Sequence, residues 1–299
     1  MMVRLGYRWR AAVSALVSAA ALLLSSGVPS AKGLDRLRIT FFALDQGDAT
    51  LVETPGDHAL LVGAGTRSEA PRIIAWLKAH GIRNLEGVFI QTWKDTHLGG
   101  APAVLKAFSV GQVLTNPCRS SPPSAKVLER VAGELQGKQR LVYGDAIPGD
   151  THVLNYDPFC QVTMVGPSGD MQRRFRQDPN NSMVLEFRQD KVAFLSLGDT
   201  QLKHQQMLLK QLERAPWGQV LRIGRGGAAD ALVTSALKSL RTRYAVIPVA
   251  RKSGQRPDAG VLAALKAAGV RVYRTDTQGT ITVLMDDRSV EVKTGGPRL

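Results

Sequence analysis

Hydrophobic positions follow two rhythms along this 299-residue chain. Short apolar or alternating runs, bounded by Gly, Pro, Asp or Asn, read as strands at residues 37–44, 49–53, 58–62, 88–91, 112–114, 160–165, 182–188, 192–197, 220–223, 244–249, 270–274, 280–285 and 289–292. Between them, apolar residues at helical spacing predict helices over 69–80, 100–108, 124–135, 202–212, 231–240 and 261–268. The first helix carries Ile73, Ile74 and Leu77 on one side and stops at Gly81. The Pro-, Asp- and Arg-rich stretch 167–179 reads as a long loop. Each half of the chain runs through hairpin-forming strands and then alternates strands with helices. That order predicts an α/β fold, a four-layer αββα sandwich forming a single domain over residues 32–299.

The first 31 residues follow another pattern. Arg4, Arg8 and Arg10 precede an acid-free apolar run over 11–24, and Ser25, Ser26, Gly27, Pro29, Ser30 and Ala31 follow it. A basic start, an apolar run and a small-residue exit are the parts of a secretory signal peptide over 1–31. The same residues retained as an N-terminal membrane anchor are the alternative, although the run is short for a span. No later apolar run is long enough to cross a membrane, so an exported, periplasmic or secreted protein is expected.

Charge narrows the partners. Formal net charge is +14, and removing Arg4, Arg8 and Arg10 leaves +11. An excess of that size favours polyanions such as DNA, anionic lipid or cell-wall polymers. A generally basic composition without a polyanionic partner explains it equally well. The two cysteines, Cys118 and Cys160, both follow the leader. In an oxidising compartment they are candidates for one disulfide, with two unpaired thiols as the alternative.

Several segments in order carry a family resemblance. Residues 39–50 end in Asp45-Gln46-Gly47-Asp48-Ala49, where a Gly-Gln-Gly-Asp-Ala turn is usual. Leu61-Val62-Gly63-Ala64-Gly65 follows, with Gly63 where an aspartate is usual, and then Gly81-Ile82 and Leu85-Glu86-Gly87-Val88. Asn180-Asn181-Ser182, Leu197-Gly198-Asp199 and the closing 270–283 segment complete the set. From about residue 37 to 285 the chain resembles the metallo-β-lactamase superfamily, and within it the extracytoplasmic domain of the ComEC competence proteins. The resemblance implies the αββα fold, a two-metal hydrolytic centre and a role in DNA uptake.

The metal motif departs from that family. Its Thr-His-x-Asp-x-Asp-His-x-Gly-Gly loop reads Thr92-Trp93-Lys94-Asp95-Thr96-His97-Leu98-Gly99-Gly100 after Gln91, so that His97 alone stands in a ligand position. The His-His-Gly-Ser loop reads Arg225-Gly226-Gly227-Ala228, and the Gly-His-Pro loop reads Gly254-Gln255-Arg256-Pro257. Asp199, the family's bridging carboxylate, is kept. A catalytic zinc needs three protein ligands and an open position. Asp48, Asp95, His97 and Asp199 therefore form a vestigial site, and no metal or other cofactor is expected. A single zinc or manganese ion on His97 and Asp199, serving a residual phosphodiesterase, is the alternative.

The replacements are cationic. Lys94, Arg225 and Arg256, with the backbone N–H groups of Gly226 and Gly227, are candidates for an anion site. From Arg222 to Arg256 there are eight basic residues and one acid, Asp230. The equally open reading is a dead site closed by salt bridges. Trp93 either plugs the vacated cavity or stacks on a base. Ser182 has no accompanying His/Asp pattern, and His58, His80, His152 and His204 read as surface or capping residues. The expected partners are DNA or another polyanion, or a protein of the envelope.

Overall fold

A computed structural model describes residues 35–138, 140–146, 157, 159–176, 178, 180–208, 218–254, 257–296 and 299. The leader expected over 1–31 lies outside these residues, as do His152 and Arg256. The chain from Asp35 builds two sheets whose strands order the rest.

The first sheet holds eight strands in the order β14-β13-β1-β2-β3-β4-β5-β6. These are β1 (Leu37–Phe41), β2 (Thr50–Glu53), β3 (Ala59–Val62), β4 (Asn84–Ile90), β5 (Ser109–Thr115), β6 (Val142–Asp145), β13 (Thr280–Met285) and β14 (Val290–Gly296). Short turns allow β1, β2 and β3 to pair antiparallel, whereas β3, β4, β5 and β6 are parallel. Parallel neighbours require crossovers. These are supplied by α1 (Ala70–Ala79), the pair α2 (Asp95–Leu98) and α3 (Ala101–Ala107), and α4 (Pro123–Gly137). In α1, Ala70, Ile73 and Leu77 recur at three- and four-residue spacing and turn one buried stripe toward the sheet.

The second sheet runs β12-β11-β10-β9-β8-β7. Its strands are β7 (Gln161–Gly166), β8 (Val184–Gln189), β9 (Val192–Ser196), β10 (Gly218–Arg222), β11 (Thr242–Ile247) and β12 (Arg271–Arg274). β9 to β12 are parallel. Helices α5 (Gly169–Arg174), α6 (Leu202–Leu208), α7 (Ala236–Ser239), α8 (Ala259–Ala267) and α9 (Thr275–Gln278) complete this half.

Three apolar clusters give the layering. Phe41, Phe187 and Phe194 lie between the sheets, with the Phe41 and Phe194 rings edge to face at 5.6 Å. Ile73, Leu77, Val104 and Leu128 join helices to the first sheet, and Leu221, Leu237 and Leu265 join helices to the second. The αββα sandwich expected from sequence is the observed architecture.

Three local expectations change. The 167–179 stretch contains α5, whose N-terminus is capped by Ser168 Oγ accepting from the Met171 N–H at 3.4 Å. The expected 231–240 helix shortens to α7, although Ala231, Leu232 and Val233 are buried. β6 was not anticipated, because Val142-Tyr143-Gly144-Asp145 is a half-solvated edge strand with one aliphatic residue.

Candidate functional site

The carboxyl ends of β4, β9 and β10 open toward one edge of the sandwich, the place where open α/β sheets bind ligands. Loops 42–49, 91–100, 197–201 and 223–230 meet there. Their backbones are tightly nested. A Cβ on Gly224 would stand 1.7 Å from the Gly198 carbonyl oxygen, so only glycine fits. The next residue, Arg225, has φ of 54°, a conformation costly for a side chain with a Cβ. Its contacts to three neighbouring residues hold it there.

Asp199 is the centre of the site and is 5% exposed. Its Oδ2 accepts from Lys94 Nζ at 2.8 Å and lies 3.4 Å from His97 Nε2. Its Oδ1 accepts from the Arg225 N–H at 3.3 Å, and the Asp199 backbone N–H donates to Ser182 Oγ at 3.0 Å. Burial raises the Asp199 carboxyl, but His97 and Lys94 outweigh it and hold the group well below the usual carboxylate range. Asn180 Oδ1 bridges the cations, accepting from Lys94 Nζ at 2.7 Å and Arg225 Nη1 at 2.9 Å. The remaining guanidinium edge of Arg225 faces Asp230, with Nε–Oδ1 at 3.2 Å and Nη2–Oδ2 at 3.3 Å.

A second buried pair lies beside this network. Arg222, at the end of β10, is 2% exposed and ion-pairs through Nη2 with Asp48 Oδ2, while its Nη1 donates to the Gly198 carbonyl at 3.3 Å. Burial pulls its guanidinium down to about 10. The other Asp48 oxygen, Oδ1, is buried with no hydrogen-bond partner.

The structure places Asp48, Lys94, His97, Asp199 and Arg225 on the converging loops, while Asp95, Gly226 and Gly227 take other roles. Asp95 does not face Asp199; its Oδ1 accepts from the Ser124 N–H at 3.0 Å and so satisfies the first turn of α4. Gly226 and Gly227 are buried, and the Gly227 N–H donates to the Gly224 carbonyl at 3.0 Å. They are not the exposed donor pair expected of an anion site. Trp93 plugs the interior at 2% exposure, with Nε1 donating to the Asn116 carbonyl at 2.7 Å. His204, expected at the surface or as a cap, is buried against Phe175, with ring centroids 4.7 Å apart, and its Nδ1 accepts from the Gln201 N–H at 3.3 Å at the start of α6; burial lowers it to about 4.

The disulfide expectation is also corrected, since Cys118 and Cys160 are separate, buried thiols. Cys160 packs in the cluster between the sheets, while Cys118 Sγ accepts from Asn181 Nδ2 at 3.0 Å. Burial pushes them up to about 12 and about 11, respectively.

The residues missed at sequence level are Arg222, Asn180 and Asp230. A signal for Arg222 existed: it is the one charge inside the apolar run Val220-Leu221-Arg222-Ile223, which demands a buried carboxylate partner.

The donor set does not suit a catalytic metal. His97 and Asp199 supply two ligands, the ammonium of Lys94 lies against the Asp199 oxygen that a dication would use, and Asp48 is held by Arg222. Among the described residues no group of three or more His, Cys, Asp or Glu is placed to hold a metal ion.

A solved structure shares this fold. The chain superposes on a variant of the CmlA β-hydroxylase over 94% of its own length and 60% of that chain, at 13% identity and TM-score 0.53. It also resembles a metallo hydrolase of the archaeon Ignicoccus hospitalis, at 15% identity over 82% of this chain and 98% of that one, TM-score 0.49. The chain has a metallo-β-lactamase-like fold. In sequence, this metallo-β-lactamase-like chain is similar to competence proteins. ComE operon protein 3 of Bacillus subtilis is 25% identical over 215 residues, 70% of this chain and 26% of that protein. Competence protein ComA of Neisseria gonorrhoeae is 25% identical over 267 residues, 88% of this chain and 35% of that protein. The chain thus spans about a quarter to a third of the length of these curated relatives. No family model matches it. Among the described residues no helix is long and apolar enough to cross a membrane.

Proposed function

We propose that this chain is an exported, non-catalytic metallo-β-lactamase-like module of a competence-type system, and that it holds DNA or another polyanion rather than cutting it. One observation carries the reading: Lys94 Nζ lies 2.8 Å from Asp199, with Asn180, Arg225 and Asp230 completing the network. Cations of the chain itself stand where hydrolysis would need a dication. Lys94, Arg222 and Arg225 are matched by Asp199, Asp48 and Asp230, so the network is internally neutralised. Polyanion contact is therefore assigned to exposed basic residues outside it, driven by the overall positive charge.

The test is metal content of the purified protein after incubation with Zn²⁺ or Mn²⁺, alongside nuclease assays and DNA binding across salt. The reading expects well below one ion per chain, no hydrolysis, and a DNA affinity whose logarithm falls linearly with the logarithm of salt concentration. Stoichiometric metal with hydrolysis abolished in His97→Ala would establish the residual hydrolase instead. Absence of salt-dependent DNA binding would remove the polyanion half of the proposal.

A further inference from the structure

The second sheet has another end. Where the parallel strands β9, β10 and β11 begin, opposite the loops that carry Asp199 and Arg225, there is a cavity of about 280 Å³. Val192, Gln219 and Tyr244 line it from the sheet, and Arg288 and Ser289 line it from the turn between β13 and β14.

The decisive feature is Gln219. It is 1% exposed, and neither the nitrogen nor the oxygen of its carboxamide has a hydrogen-bond partner. Its register partner on β11, Thr242, is also buried, at 7% exposure, with an unpartnered hydroxyl. Buried polar side chains are nearly always satisfied, and an orphaned one carries a desolvation penalty. The β10–β11 register shifts between Gln219 and Val220, and such irregularities gather beside functional sites. The lining also includes the exposed cations Arg243 and Arg288 and one acid, Asp287, whose carboxylate is 3.8 Å from Arg288 Nε. The Arg271 guanidinium covers the Tyr244 ring at 5.7 Å and adds to the positive field.

We infer that this cavity binds a compact anion carrying a hydrogen-bond donor and acceptor side by side: an amide, lactam or nucleobase edge next to a phosphate or carboxylate. A carboxamide offers one group of each kind and is answered by such an edge. The anionic group meets Arg243 and Arg288, whose forked donors suit phosphate and carboxylate. The volume falls just under the roughly 300–1,000 Å³ of ordinary ligand pockets, so the occupant is small or is the end of a longer chain. The site is independent of the Asp199 network and does not rest on the function proposed for it.

Two probes distinguish the sources of such an edge. Thymidine 5′-monophosphate joins a lactam to a phosphate, and N-acetylmuramic acid joins an acetamide to a carboxylate. Each is titrated by calorimetry into the purified full chain, with thymidine, inorganic phosphate and N-acetylglucosamine as controls that carry one feature alone. One anionic probe should bind at least about tenfold tighter than its controls, and Gln219→Met should weaken it about tenfold. Arg243→Ala combined with Arg288→Ala should weaken it by a similar factor; both side chains are exposed, so this arm leaves the fold undisturbed. The probe that binds identifies the source. Binding of neither probe overturns the site. So does binding of phosphate as tight as that of the probes and unaffected by Gln219→Met.

Discussion

Asp45 and Asp48 lie three residues apart on the loop after β1 and are about equally enclosed, but the cations that meet them stand in opposite surroundings. Asp45 accepts from Arg251 Nη2 at 2.6 Å and Lys252 Nζ at 2.7 Å, with Arg72 Nη1 at 3.8 Å, and all three cationic side chains are largely open to solvent. Asp48 has one cation, Arg222, which is buried on every side, and one carboxylate oxygen left without a partner. Counting ion pairs would rank Asp45 as the stronger anchor. Burial reverses the order. Charges that water can reach lose little when separated, whereas a guanidinium enclosed at the end of β10 keeps the Gly198 carbonyl but loses its counter-charge if its carboxylate is removed.

The comparison is broken most forcefully at Arg222. Asp48→Ala leaves that guanidinium buried and unpaired, and the expected loss is about 3–5 kcal/mol of unfolding free energy in urea titrations. Arg222→Leu strands Asp48 in turn, at a similar cost. The double substitution removes both charges and should be much less destabilising than the two single losses added together. Single losses below about 1 kcal/mol would show that the pair is no anchor and that burial is the wrong criterion.

Asp199 comes next. It is as buried as Arg222, but its partners Lys94 and Arg225 keep hydrogen bonds to Asn180 when it is changed. Asp199→Asn should therefore cost less, about 2–3 kcal/mol at neutral pH. Titration sharpens the point. A carboxyl held below its unfolded value, about 3.9, contributes stability that is complete above that pH and declines as pH falls below it. The wild-type protein should lose stability on acidification from about pH 4 downward more steeply than Asp199→Asn does. Parallel acid limbs in the two proteins would mean that Lys94 and His97 do not hold the carboxyl down.

The same contrast shows what the sequence could disclose. The layers were legible because strand and helix periods differ and Ile73 and Leu77 keep theirs. α5 was hidden by the loop-like composition around it, although Ser168 offered a cap. At the site, Lys94, His97, Asp199 and Arg225 could be named from sequence because they occupy motif positions, on what the fold makes three converging loops. The role of Asp95 was not, since its partner is the N-terminus of a helix that begins far along the chain. Arg222 and Asp48 are distant in sequence and lie in different sheets' loops and ends, so only the fold could pair them. The cysteines stay open in sequence between one disulfide and two thiols, because their number says nothing of distance; each thiol is enclosed by a different part of the core.

The smallest effect is expected where the ion pairs are most numerous. Lys252, and then Arg251, lower the Asp45 carboxyl by direct hydrogen bonds, so electrostatic attraction exists there. What it contributes to stability is limited by water. Both cations regain full hydration when the pairs open, and both long side chains regain rotamer freedom. Arg251→Ala and Lys252→Ala should each cost less than about 1 kcal/mol at low salt. In 1 M salt, where screening acts over about 3 Å, most of that should vanish. The Asp48→Ala loss should persist under the same salt, because no counterion reaches the buried guanidinium. A salt-insensitive loss of several kcal/mol in Arg251→Ala would place Asp45 beside Asp48 as a structural anchor. In that case the backbone bonds that tie loop 250–252 to Leu44 and Asp45, at 3.2 and 2.9 Å, would be the part that depends on it.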